Sequence, residues 1–364
     1  MKKYFLIAAA AVAALASCTK VTVDVPEVDQ EISFTAVNHV SATKADDQQE
    51  DGHGHLEFYS AGTFAVNAYF SASDFSNVAA STLYMDGVGI SYYQDGAWKS
   101  ATPYYWPKAG QLSFIGWYPA IATKKDDTAA GATSVEVVDA TVSSAATLAV
   151  KINNYTVAAA LTDQAAKVTT DTADGKTTVT DNQNDLMVAA PILNQTSNNS
   201  EDIHYNNGVA MIFNHKLAKI SFEAKSAGAG TLDNVLKVQI NSITVNNIYN
   251  KGNYDGGSVW NNPSGAVSSG AFVNNAAVVA DAAIPTAGIL STTAAAQGPE
   301  YYVLPQTFVA STEEANGQLV TVTYTVYAIK DGVVKDAKTY TKSVDFASMK
   351  NIMYPFLWTV GSLS

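Results

Sequence analysis

Arginine is absent from this chain, and all 21 basic residues are lysines. Charge of either sign is scarce, at 15% of residues, and the formal balance is −12. An acidic chain without a guanidinium group suits nucleic acid poorly, because phosphates are met by clusters of Lys and Arg. It suits anionic lipid headgroups no better. Cysteine occurs once, at Cys18, so no internal disulfide can form. No glycine-rich phosphate loop, no Gly-x-Ser-x-Gly and no His-Glu-x-x-His occurs. No catalytic residue and no cofactor is therefore assigned, and the chain reads as a non-enzyme.

Only one long apolar run is present, and it lies at the start. Met1-Lys2-Lys3 is basic, Tyr4 to Leu15 is apolar, and Leu15-Ala16-Ser17-Cys18 closes the stretch with small residues. This is the layout of a secretory leader, too short for a comfortable membrane span. A cysteine at the cut resembles a bacterial lipobox. The expectation is cleavage between Ser17 and Cys18 with acylation of the thiol, which also explains a lone cysteine in an exported chain. Loss of Lys2 and Lys3 makes the mature chain two units more negative. Stable anchoring needs more than one acyl chain, which a lipidated cysteine supplies.

What is abundant points to strands. Hydrophobic residues make up 47% of the chain, enough for packed cores, and Thr, Val, Asn, Ser and 19 Tyr suit pleated surfaces and turns. Glu31 to Val37 alternates apolar with polar, putting Ile32, Phe34 and Ala36 on one face. Ser41 to His55 is acidic and polar, an exposed loop headed by Lys44 and Ala45. Thr63 to Phe70, Leu112 to Pro119, Asp185 to Pro191, Val235 to Tyr249 and Gln318 to Lys330 read as strands. Val209 to Lys225 reads as a strand pair or one bent strand. Ala120 to Asp181 reads as hairpins or long loops around Ser134 to Val138, Thr147 to Ile152 and Lys176 to Val179. A helix over Val157 to Lys167 is the alternative there. Asp331-Gly332 is a two-residue hairpin signal. Asn194 to Asn207 is the best linker candidate. The expected fold is all-β, with two tandem antiparallel β-sandwich domains. The expected divisions are a leader at 1–17, an N-terminal segment at 18–44, and domains at 45–200 and 201–364.

Other chemistry is weaker. His53-Gly54-His55 beside Asp51 and Glu57 offers too few ligands for a metal, and a solvated loop explains it better. His215 sits in an alternating strand, where a structural histidine is the simpler reading. The Asp-rich stretches at Asp171 and Asp181 lack calcium-loop spacing. Tyr92, Tyr93, Trp98, Tyr104, Tyr105, Trp106, Trp117 and Tyr118 either fill a core or form a sugar-stacking face, and core is favoured.

Several motifs, in order, resemble a known family. They are Ile32-Ser33-Phe34 with Thr43-Lys44-Ala45, Tyr105-Trp106-Pro107, Leu112 to Pro119, Asp185 to Ala189, Phe213 to Ile220 and Tyr302 to Thr307. With the lipobox they resemble the fimbrillins, pilin subunits and related surface lipoproteins of Bacteroidales. The resemblance implies transthyretin-like domains and a lipid anchor, palmitate included, in the outer membrane. It implies a trypsin-like protease cutting after a basic residue, here between Lys44 and Ala45. An arginine-specific enzyme has no site in this chain. It further implies that the strand bearing Ile32, Phe34 and Ala36 leaves a groove that the next subunit fills. Expected partners are other pilin subunits, the protease, the membrane and a host or bacterial surface receptor, with no nucleic acid. The competing expectation is a non-polymerising surface lipoprotein that binds glycans.

Overall fold

Two-residue alternation becomes strand wherever the chain is described, and every element is a strand. The computed structural model describes residues 30–38, 56–57, 63–93, 97–124, 131–157, 168–171, 177–180, 185–197, 208–220, 222–225, 236–257, 259–273, 283–284, 289–291, 293, 295–296, 301–306, 319–345, 351–352 and 357–358. In chain order the first half holds β1 (Phe34–Asn38), β2 (Leu56–Glu57), β3 (Thr63–Ser71), β4 (Thr82–Tyr92), β5 (Trp98–Ser100), β6 (Gln111–Tyr118), β7 (Ser134–Val142), β8 (Ala145–Thr156), β9 (Val168–Asp171), β10 (Thr177–Thr180), β11 (Met187–Ala189) and β12 (Ile192–Gln195). The second half holds β13 (Val209–His215), β14 (Ala218–Ile220), β15 (Glu223–Ala224), β16 (Leu236–Tyr254), β17 (Trp260–Val273), β18 (Ala295–Ala296), β19 (Tyr301–Val303), β20 (Leu319–Lys330), β21 (Val333–Asp345), β22 (Asn351–Ile352) and β23 (Leu357–Trp358).

The first sheet runs β11-β13-β1-β5-β4-β3-β6, and β11 also pairs with β6. Its path of hydrogen bonds therefore returns to its start. β12 continues along β6 beyond β11, and β2 adds to β1. Alternate residues of the circuit point inward and meet one another. Phe34, Ala36, Phe64, Val66, Phe114, Met211 and Phe213 belong to this inner core. Gly116 also faces it, where a Cβ would lie 2.8 Å from the Met211 methyl. Among the described residues, every strand ladder is antiparallel except that of β1, which runs parallel to β13. The expectation of antiparallel sheets needs that one amendment.

The opposite face of the first sheet is buried as well. Ala65, Tyr69, Ile115 and Trp117 pack with Val135, Leu148, Val150 and Ile152 of the β7–β8 hairpin. That hairpin belongs to a second sheet of order β21-β20-β16-β8-β7, with β17 on the other side of β16. β20 and β16 contribute a separate core with Ile240, Ile243, Val245, Val320 and Val322. The two sheets thus exchange segments across the linker candidate. Val209–His215 follows it and joins the first sheet, while Ser134–Thr156 precedes it and joins the second.

Turns follow local chemistry. Asp331 and Gly332 both have positive φ (53° and 77°), as a primed hairpin turn requires. Ser143 and Ser144 do the same at 49° and 70° without Asn or Gly to announce it. The hairpin expected around Ser134 to Ile152 is present and longer, and β9 pairs with β10. The alternative helix falls mostly outside the described residues. β16 and β17 extend into the Gly/Asn-rich stretch around Trp260, whose ring packs near Tyr155 and Tyr254.

Candidate functional site

Residues 30–38 run as an extended segment whose later part, β1, lies between β13 and β5 of the first sheet. On one side, β13 runs alongside it from Phe34 opposite Val209 to Asn38 opposite Phe213. On the other side the support is discontinuous. Phe34 opposes Trp98 of β5, and Val37 and Asn38 oppose β2. Upstream, Ile32 N–H donates to Tyr104 O at 2.7 Å, and Trp106 N–H donates to Gln30 O at 2.9 Å. The Tyr104-Tyr105-Trp106 segment thus flanks the head of the strand.

The expected inward face is the buried one. Ile32 and Phe34 are each 1% exposed and Ala36 is 6% exposed. Phe34 meets Phe114 and Phe64 edge-on, with centroids 5.8 and 6.2 Å apart. Phe213 and Trp98 sit 5.1 and 5.3 Å from Phe64, so the floor of the groove is continuous aromatic surface. Burying Ile32 and Phe34 contributes about 1.5–3 kcal/mol each.

One glycine makes the parallel pairing possible. Gly208 precedes β13 with φ of +121°, and a Cβ there would lie 2.2 Å from Ser33 O. The close approach lets Val209 N–H donate to that same carbonyl at 2.9 Å. Nothing in the alternation pattern marks Gly208. A glycine just before a strand was the available signal.

At the far end of β13, His215 Nδ1 lies 2.8 Å from Asp185 Oδ2. The contact is close but is not an aligned hydrogen bond. It links β13 to the residues entering β11, a structural role. The perturbed titratable groups sit at the junction of the sheets. Burial pushes Tyr254 up to about 12, with Asp255 adding to the shift. Burial also lowers Lys216, whose Nζ lies 5.5 Å from the Tyr254 ring centroid.

Of the sequence-derived sites, Ile32, Phe34 and Ala36 come together in one wall. Ser17, Cys18, Lys44 and Ala45 lie outside the described residues, as do His39, His53, His55 and His204. Among the described residues, no group of three His, Cys, Asp or Glu side chains gathers as a metal site. The aromatic cluster is mostly interior. Trp98, Trp106, Trp117 and Tyr118 are buried, and Tyr105 is the one clearly exposed, at 44%.

This is an all-β protein whose distinctive feature is a buried N-terminal strand that links β13 to β5 within the first sheet. The fimbrillin-like family model matches residues 43–354, and the chain belongs to that family. The family is structural, and the chain is not an enzyme. A fimbrial protein from Bacteroides vulgatus has a similar fold, with a TM-score of 0.54 and 14% identity over 91% of this chain and 95% of that one. A candidate cell adhesion protein from Bacteroides uniformis matches with a TM-score of 0.38 and 15% identity over 87% of this chain and 98% of that one. No curated protein matches.

Proposed function

We propose that this chain is a fimbrial subunit, or an accessory subunit at tip or anchor, that accepts a strand from another subunit in the groove now filled by residues 30–38. The observation that carries the reading is the burial of Ile32, Phe34 and Ala36 in a segment flanked by β13 on one side and by the Tyr104–Trp106 segment, β5 and β2 on the other. A strand so placed is core in every respect except its covalent neighbourhood. Cutting between Lys44 and Ala45 separates it from the rest of the chain and leaves only contacts. Its departure exposes backbone donors and acceptors on β13 and an apolar floor. Such an edge accepts a new strand, with main-chain bonds giving affinity and the pockets for alternate side chains giving specificity.

In this reading the protein is exported to the outer membrane as a lipoprotein acylated at Cys18, and enters a fimbrium after trimming. Its partners are other pilin subunits, the processing protease and a surface receptor. Glycan binding through the aromatic cluster draws no support, since most of those rings face the core.

The test is limited digestion of the purified chain with a lysine-cutting protease. The first stable fragment should begin at Ala45, and the cleaved protein should form fibres or ladders under the electron microscope as concentration rises. Cleaved protein that stays monomeric at every concentration overturns strand exchange. The N-terminal peptide of membrane-extracted protein should carry acyl mass on Cys18, and Cys18→Ser should release the protein from the envelope. An unmodified Cys18 would overturn the anchor alone.

A further inference from the structure

The second sheet changes partners partway along one strand. β16 pairs with β20 from Leu236 to Val245, and with β8 from Lys251 to Tyr254. Both partners lie on the edge away from β17, which pairs with β16 from Ser242 to Tyr254. Between them, no ladder covers residues 246–250 on that edge among the described residues. The strand is also irregular here. Its register against β17 shifts between Val245 and Ile248 and again between Lys251 and Asn253, and Asn247 has φ of 56°. Such bulges bend a strand.

The same level divides two cores, and consecutive residues fall on either side of it. Leu217 and Leu304 pack with the core between the first sheet and the β7–β8 hairpin, whereas Ala218 and Val303 pack with the core of β16 and β20. Along β16, Ile248 belongs to the second of these cores and Tyr254 to the first. The chain therefore crosses between the cores at 217–218, at 303–304 and along the paired β16 and β17. Ala218 opposes Val303, so the first two crossings brace each other. Trp260 Nε1 donates to Lys216 O at 2.9 Å, but that bond stays on the side of Leu217. What ties β16 to the other crossings at the dividing level decides whether the cores move as one.

Gln306 makes that tie. Tyr249 N–H donates to Gln306 Oε1 at 2.9 Å, and Gln306 Nε2 donates to Tyr249 O at 3.0 Å. The carboxamide thus exchanges both bonds with one residue, as the opposed residue of an antiparallel strand does. Its Nε2 also donates to Leu304 O at 3.1 Å. Gln306 stands where a strand partner is missing and joins β16 to the 303–304 crossing. A carboxylate in its place would keep the acceptor and lose both donated bonds.

We propose that residues 246–250 of β16 form a hinge between the two cores, and that Gln306 is the clasp holding it at one angle. The clasp acts independently of strand exchange, because its bonds are made to β16 and Leu304 and not to the strands beside β1.

Spin labels at Thr102→Cys, between β5 and β6, and at Thr339→Cys, on β21, report the angle in the uncleaved full chain carrying Cys18→Ala. Both positions are exposed. With Gln306 in place, pulsed electron resonance should give one narrow distance distribution. Gln306→Ala should broaden it roughly twofold. Gln306→Glu should do the same, since its carboxylate would face the carbonyl oxygens of Tyr249 and Leu304. Tyr327→Phe is the control. It removes the bond to Gln239 at 2.6 Å, within the second sheet, and should leave the width unchanged. The Tyr249 amide should also exchange about tenfold faster in Gln306→Ala, with Val322 unchanged. Equal widths in all variants overturn the hinge. Broadening by Tyr327→Phe as well shows general loosening and overturns the clasp. An unchanged exchange rate at Tyr249 overturns its bond to Gln306.

Discussion

The two sheets of this protein treat their strand edges in opposite ways. The first sheet joins β11 to both β13 and β6, and so buries side chains from all of its main strands in one interior. Among the described residues the second sheet forms no such circuit and ends on β21, which is exposed on both faces from Asp336 to Ser343. β1 is packed on both sides within its sheet, with Phe34 and Ala36 buried. β21 is packed against β20 and exposed from Asp336 to Ser343.

The comparison breaks most visibly at Phe34. Phe34→Asp places a carboxylate among Phe64 and Phe114 with no partner, and should cost on the order of 4 kcal/mol of stability. Urea unfolding followed by tryptophan fluorescence reads the change. The uncleaved variant should also associate prematurely, because its groove opens. A midpoint and a monomer fraction equal to those of the unaltered protein would show that β1 is not core.

Gly208→Ala acts on the same groove through the backbone. A methyl group at positive φ, 2.2 Å from Ser33 O, must push β1 away from β13. The expected loss is about 1–3 kcal/mol. Hydrogen exchange should rise at Val209 and along β1 more than in β20. Uniform loss of protection would mean that the glycine supports the whole fold and not this junction.

A smaller effect sharpens the boundary between the sheets. Tyr254 has its pKa raised from 10.0 to about 12 by burial, so the folded state holds the neutral phenol longer than the unfolded chain does. Its contribution is complete below pH 10 and is lost as pH rises towards 12. Tyr254→Phe should flatten the fall in unfolding midpoint across that window. The hydroxyl donates to Gly257 O, so the variant also loses one hydrogen bond at neutral pH.

The smallest change is expected on β21. Thr339→Ala removes an exposed side chain and one hydroxyl contact to Thr325, and should shift monomer stability by about 0.5 kcal/mol or less. Thermal unfolding at low concentration measures it. A loss comparable to that at Gly208 would make β21 part of the core and erase the contrast between the two edges.

Much of this was legible from residue order. Alternation marked β1, β16 and β20, apolar strand-like runs marked β3 and β6, and the alternation of β1 put Ile32, Phe34 and Ala36 on one face. Asp331-Gly332 announced its hairpin. The Ser143-Ser144 turn was not legible, because serine at positive φ is tolerated only when the flanking strands demand it. Trp98 and Trp106 could be named as aromatic, but their places beside β1 could not. The importance of Gly208 was hidden for a similar reason. Its constraint comes from Ser33, far away in the chain, and not from its own neighbours.

Residue order by itself determined that the fold is all-β and which side chains of the alternating strands turn inward. Those properties are local, because side-chain direction alternates with every residue of an extended chain. Tertiary structure alone decided who pairs with whom. It set β1 parallel to β13, closed the first sheet through β11, and sent the 134–156 hairpin to the second sheet. Backbone donors and acceptors are the same at every residue, so hydrogen bonding cannot choose among partners. The choice falls to packing between residues distant in the chain, such as Phe34 with Phe114 and Ala65 with Val135, and that packing exists only once the faces have met.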